Sequence, residues 1–128
     1  MKDKKLTIEI GRSVSEVFNF TLNPDNTPKW IDGIVAEETN EYPAKLGTIY
    51  KNKGKGGNWN EYEMTGFEKD KMFELTRLNG NYHVRYTFEP TDNGRCNFEY
   101  YEWVDEGELD NTVSQEVLQK LKEVVEQE

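Results

Sequence analysis

Asn23-Pro24-Asp25-Asn26-Thr27-Pro28-Lys29-Trp30 is the stretch on which the reading of this chain turns. A residue before proline avoids the helical region, so Asn23-Pro24 stops the helix that precedes it. Pro24 suits the first turn of a second, short helix over residues 24–30, and Pro28 keeps that helix short or irregular. Upstream, Val14, Val17, Phe18 and Leu22 recur at helical spacing. Ser13 and Glu16 spell the S-x-x-E capping box, which starts the first helix at Val14. Before it, Leu6, Ile8 and Ile10 alternate with Lys5, Thr7 and Glu9, a half-buried strand over residues 4–10 that Gly11 ends.

Downstream of Ile34 the texture changes to strands and turns. The pattern predicts strands at 34–40, 48–54, 59–68, 71–78, 82–89 and 95–104. Turn signals separate them: Gly54 to Gly57, Lys69-Asp70, Asn79-Gly80 and Asp92-Asn93-Gly94. The connections after residue 47 are short, so these strands pair antiparallel with their sequence neighbours. At about 110–127 the period returns to helical. Val113, Val117, Leu121 and Val124 form one stripe, with Leu118 and Val125 beside it and Gln115, Glu116, Lys120, Lys122 and Glu123 opposite. Such a helix is about 24 Å long, enough to lie across a curved sheet.

With 128 residues, the chain is expected to fold as one domain over residues 1–128. Apolar residues make up only 34%, but three Trp, seven Tyr and six Phe supply much of the apolar volume. Interiors rich in rings and poor in aliphatics pack irregularly and tolerate concave, ligand-sized spaces. A formal charge of −9 repels phosphate backbones and anionic lipid heads, which argues against nucleic acid and membrane surfaces as partners. No stretch is long and apolar enough for membrane insertion. The single Cys96 excludes an intrachain disulfide and a cysteine metal cluster, and fits a reducing, cytoplasmic location. The opening Met-Lys-Asp-Lys-Lys lacks the apolar core of a signal peptide.

The order strand, two helices, six strands, long helix resembles the SRPBCC superfamily, also called START-like or helix-grip proteins. Its polyketide cyclase/dehydrase-like branch is the part most similar to this chain. Members carry Asn-Pro or Asp-Pro followed shortly by Trp, as do Asn23, Pro24 and Trp30 here. Gly47-Thr48 opens a strand; Tyr62, Met64, Thr65 and Phe67 match a Y-x-V-T-x-F strand. Tyr86 to Pro90, then Gly94, match a Y-T-F-E-P strand and its turn, and Leu121-Lys122 matches a pair near the end of the last helix. Gly66 departs from the pattern where an acidic residue is common, and Lys69-Asp70 replaces a turn that often holds proline. The resemblance covers essentially the whole chain. It implies an α+β helix-grip fold: a curved antiparallel sheet of about seven strands around the C-terminal helix. It does not imply one function, because the superfamily mixes enzymes, lipid carriers, receptors and chaperone co-regulators.

Strand parity places Tyr62 with Met64, Phe73 with Leu75, Tyr86 with Phe88, and Phe98 with Tyr100 on inward faces. Tyr50 shares a face with Thr48 and Asn52. If the sheet grips the last helix, Val117 and Leu121 close a pocket from the other side, and Trp30 guards one end. These residues read either as an ordinary core or as the lining of an apolar cavity edged with phenols.

Catalytic candidates are few. Glu102 shares parity with Phe98 and Tyr100; turned inward, its carboxylate would serve as a general acid or base. Arg77 shares parity with Phe73 and Leu75 and would meet an anionic group. Both read equally as strand-end charges. His83 faces outward by parity, and Cys96 reads as a small core thiol without an activating base. Lys51, Lys53 and Lys55 among Gly54, Gly56 and Gly57 lack the phosphate-loop spacing. No spacing for a metal site and no cofactor motif occurs. Three functions stay open: binding of a small apolar or aromatic molecule, lipid- or polyketide-like; a cyclase or dehydratase; and a protein-interaction module. Whether the chain forms a homodimer stays open, with Tyr101 and Trp103 on the opposite face as candidate contacts.

Overall fold

The structure is a computed structural model that describes residues 1–109 and 113–128. Strand β1 (Lys2–Ile10) leads into helix α1 (Val14–Leu22), a 3-10 turn (Pro24–Asn26) and the single-turn helix α2 (Thr27–Trp30). Strands β2 (Ala36–Thr39), β3 (Ile49–Lys53), β4 (Asn60–Glu68), β5 (Met72–Arg77), β6 (Tyr82–Pro90) and β7 (Cys96–Val104) follow, then helix α3 (Gln115–Glu126). The seven strands form one sheet in the order β1-β7-β6-β5-β4-β3-β2, antiparallel throughout. Short connections make β2 to β7 a meander, and β1 returns to close the far edge on β7. This is the helix-grip α+β fold expected from the element order.

The helix starts follow the sequence. Ser13 Oγ accepts from the Glu16 amide at 3.2 Å, while Glu16 Oε1 accepts from the Ser13 amide at 3.2 Å. The short helix over 24–30 divides in two, because Pro28 lacks the amide that would tie it to the turn before it. The final helix also differs. Its expected start at 110–112 lies outside the described residues, and Val113 and Ser114 precede the helix, with Ser114 at the N-cap. Twelve residues give α3 a length of about 18 Å rather than 24 Å.

One irregularity reshapes the inward face. β4 carries a bulge between Met64 and Gly66, which leaves Thr65 unpaired. Parity therefore changes along the strand: Met64 is buried, and beyond the bulge Phe67 packs edge-on against Phe18 at 5.8 Å. Phe18 of α1 also meets Phe73 at 5.8 Å and Phe88 at 5.3 Å, so α1 fills this end of the concave face with rings.

Helix α3 packs along β1 and against α2. Leu118, Leu121 and Val125 are buried there, while Val117 and Val124 are half-buried. Its end is tied to the β1–α1 junction: the Gly11 amide donates to Glu126 Oε2 at 2.6 Å, and Arg12 donates to the Glu126 carbonyl. A Cβ at Gly11 would lie 2.8 Å from Arg95 Nη1, so the end of that side chain would have to move aside.

Candidate functional site

Where α1 does not fill the concave face, a cavity of about 630 Å³ remains, open to solvent at one side. This lies within the range of roughly 300 to 1,000 Å³ that small-molecule clefts occupy. Its floor comes from alternate residues of neighbouring strands: Tyr50 and Asn52 on β3, Asn60 and Tyr62 on β4, Phe73, Leu75 and Arg77 on β5. Tyr82, Val84 and Tyr86 of β6 and Tyr100 and Val104 of β7 continue it. Thr21, Thr27, the segment 31–34 and Val113 cover it. The rim depends on a glycine: the Gly33 carbonyl oxygen lies 2.9 Å from where a Cβ of Gly54 would stand. Only glycine lets the segment 31–34 come this close to the end of β3.

Of the residues that parity placed in a pocket, Tyr50, Tyr62, Phe73, Leu75, Tyr86 and Tyr100 line this cavity. Met64, Phe88 and Phe98 are buried in the packed core instead, where the rings of α1 and α2 meet the sheet. Trp30, expected to guard one end, is buried in the core among Tyr86 at 5.9 Å and Phe98 at 6.4 Å and does not line the cavity. Its indole N–H finds no partner among the described residues. Leu121 is buried under α3, and Val117 is half-buried; neither lines the cavity, because α3 sits toward β1.

Both weak catalytic candidates have defined places. Arg77 is exposed on the cavity wall and donates through Nη2 to Asn60 Oδ1 at 2.7 Å. Glu102 is 1% exposed. Its Oε1 accepts from Tyr82 at 2.7 Å and from Tyr100 at 2.9 Å, while Oε2 has no hydrogen-bond partner among the described residues. Glu102 does not itself line the cavity; the two phenols that do turn their hydroxyls toward it.

The principal residue that the sequence reading missed is Glu37. It lies half-buried on β2 and lines the cavity wall. Oε1 accepts from the Thr27 hydroxyl at 2.6 Å and Oε2 from Asn52 Nδ2 at 3.1 Å. Burial raises its pKa, and these two hydrogen bonds oppose the rise. Glu37 pairs with Asn52, and Asn52 with Asn60, in the strand register. A polar row thus crosses three strands and ends at Arg77. The segment Ala36-Glu37-Glu38-Thr39 has no apolar alternation, so nothing in its pattern marked Glu37 as inward. Asn52, Asn60, Tyr82 and Val84 were legible from the parity of Tyr50, Tyr62 and Tyr86.

The phenols are held in the neutral form. Burial raises the pKa of Tyr50, Tyr82, Tyr86 and Tyr100, and neighbouring negative charge from Glu37 or Glu102 adds to the effect. His83 lies outside the cavity, stacked on Trp103 at 4.8 Å, with Nδ1 3.0 Å from Thr76 Oγ1 and Nε2 3.0 Å from Asp105 Oδ2. Lys51 and Lys53 lie over the Trp59 ring at 4.9 and 4.8 Å, a structural use for that glycine-flanked hairpin. Among the described residues no cluster of three or more His, Cys, Asp or Glu could hold a metal ion. No described helix is long and apolar enough to cross a membrane.

The fold is shared with solved structures of low sequence identity. Protein MLL2253 from Mesorhizobium loti superposes with a TM-score of 0.78 at 14% identity, over 98% of each chain. The Aha1 dimer from Colwellia psychrerythraea gives 0.76 at 16% identity, over 98% of this chain and 97% of the other. Protein XoxI from Bacillus cereus gives 0.74 at 16%, over 98% and 96%. No curated protein matches the sequence significantly. A family model described as polyketide cyclase / dehydrase and lipid transport matches residues 1–126. With sequence and fold in agreement, the chain belongs to the polyketide cyclase / dehydrase and lipid-transport family.

Proposed function

We propose that the chain binds a small molecule with an apolar or aromatic, lipid- or polyketide-like body in the cavity over β3 to β7. The observation that carries this reading is the 630 Å³ space itself, with Phe73, Leu75, Val84 and Val113 on its apolar side and five tyrosines around them. A solvent-open hollow of this size beneath the helix layer is space that tight core packing does not leave. The neutral dye Nile red tests it. The wild type should bind one dye with enhanced fluorescence, and Leu75→Trp, which puts an indole into the space, should weaken binding at least about tenfold, or 1.4 kcal/mol. Unchanged affinity in a folded Leu75→Trp protein would reject the cavity as the binding site.

A second reading, acid–base catalysis, is favoured by the carboxyl of Glu37 on the cavity wall, whose pKa burial raises. Deuterium uptake at the acidic carbon of bound 2-tetralone, lost in Glu37→Gln, would support it; exchange at the solvent rate would exclude it for this probe. The Colwellia relative is described as a dimer. Dimerisation of this chain through the outer face around Tyr101 and Trp103 is proposed on that likeness, and sedimentation of Trp103→Glu beside the wild type decides it.

A further inference from the structure

A tyrosine or threonine hydroxyl has one proton to give and two lone pairs to offer. In this cavity most of those protons are already given to the protein. Tyr50 donates to the Leu22 carbonyl at 2.6 Å. Tyr82 and Tyr100 both donate to Glu102 Oε1, at 2.7 and 2.9 Å. Thr21 donates to the Val17 carbonyl at 3.0 Å, and Thr27 to Glu37 Oε1 at 2.6 Å. All five side chains line the cavity. What they present to a guest is therefore lone pairs. Glu102 thus acts on the cavity from outside it, by fixing which way two phenols point.

The charges lean the same way. Among the described residues the lining holds two carboxylates, Glu37 and Glu108, and one cation, Arg77. Glu108 is exposed and within 3.7 Å of Lys2, so it belongs to the rim. Arg77 is exposed too, and its guanidinium is engaged with Asn60. Glu37 is the charge set against the interior, and its two oxygens each accept one hydrogen bond, leaving lone pairs for a guest. Tyr62 and Tyr86 make no hydrogen bond to the described residues; their free hydroxyls rotate to donate or accept.

We infer that this cavity selects, among molecules with an aromatic or apolar body, those bearing hydrogen-bond donors, an ammonium group above all, placed against Glu37, and that it rejects carboxylates. The inference rests on the reading of the cavity as a ligand site and names the chemistry of its guest. The aromatic body lies against Phe73, Leu75 and Val84. The ammonium meets the half-buried Glu37 carboxylate in a charge-assisted hydrogen bond. A carboxylate set against Glu37 would face a like charge and the lone pairs of the engaged hydroxyls, while the donors left over, the Asn60 amide and the remaining guanidinium N–H groups of Arg77, lie at the other end of the polar row.

Three naphthyl compounds of matched size test this by calorimetry at pH 7: 1-naphthylmethylamine, 1-naphthalenemethanol and 1-naphthoic acid. The expected order is amine, alcohol, acid, with the amine at least about tenfold tighter than the acid, the ratio that one charge-assisted contact supplies. In Glu37→Gln the amine should fall to the affinity of the alcohol, and the alcohol should not change. A preference for the amine that survives Glu37→Gln would assign it to the overall negative charge and overturn the inference. Equal or tighter binding of the acid would overturn it as well, while leaving the cavity as a ligand site. Binding of none of the three, together with no binding of Nile red, would instead remove the ligand site on which the inference stands. Should Glu37→Gln fail to fold, amide shifts of the wild type on addition of the amine decide the matter. Changes centred on Thr27, Glu37 and Asn52 support the inference, and changes confined to other residues refute it.

Discussion

The Tyr50 hydroxyl donates a hydrogen bond of 2.6 Å to the carbonyl oxygen of Leu22. Leu22 ends α1, where carbonyls lose their helical partners, so a side chain from β3 satisfies one of them. The same bond fixes one edge of the cavity to the helix layer. Tyr50→Phe should therefore lower stability by about 1–2 kcal/mol in urea unfolding, the cost of a buried carbonyl left without its donor. Loss well below that range would show that water replaces the phenol.

Glu102 should tolerate amidation and not truncation. Glu102→Gln keeps an oxygen for Tyr82 and Tyr100 and is expected to change stability little. Glu102→Ala strands two phenol protons and opens a void at a residue 1% exposed, and should cost roughly 2–4 kcal/mol. Equal losses in the two variants, measured by the same unfolding method, would refute the anchoring role.

Stability should depend on pH through Glu37 in a direction opposite to that of a salt-bridged carboxylate. Burial raises its folded pKa above the ordinary 4.5, so the folded protein holds a proton that the unfolded chain has released. Its contribution is full below pH 4.5 and is lost as pH rises through the folded value. Glu126 behaves conversely: hydrogen bonds from Lys122 and from the Gly11 amide lower its pKa, and its contribution is lost only below 4.5. Unfolding from pH 4 to 8 checks this. Glu37→Gln should gain stability relative to the wild type as pH rises above 4.5, and a difference that stays constant across the range would contradict the assignment.

The Cys96 thiol should be inert in the folded state. It is buried, and burial pushes its pKa up to about 12, so almost no thiolate forms at pH 8. Ellman's reagent should react with it only on the timescale of unfolding. Rapid, stoichiometric reaction in native buffer would contradict this placement.

Much of this architecture was legible in the residues, and the gaps have physical causes. Phe98, Tyr100 and Glu102 were placed on one face because β7 keeps an unbroken period of two. Ser13 and Glu16 announced α1 because a capping box is a local device. Met64 was placed toward a pocket and lies in the core, since its surroundings are set by a bulge and by a helix from elsewhere in the chain. Val117 was favoured over Leu118 because both lie on the apolar half of α3, and only tertiary packing chooses the line of contact. Glu37 escaped notice for a deeper reason. A cavity is what packing leaves over, and no residue pattern encodes the space that α1 and α3 fail to fill.

Intermolecular NOEs from bound Nile red to the methyl groups of this protein test the central claim most directly. The account requires contacts to Leu75, Val84 and Val113, which line the space beneath the segment 31–34. NOEs restricted to other methyls, or a dye that binds only outside the sheet, would show that the hollow takes no guest.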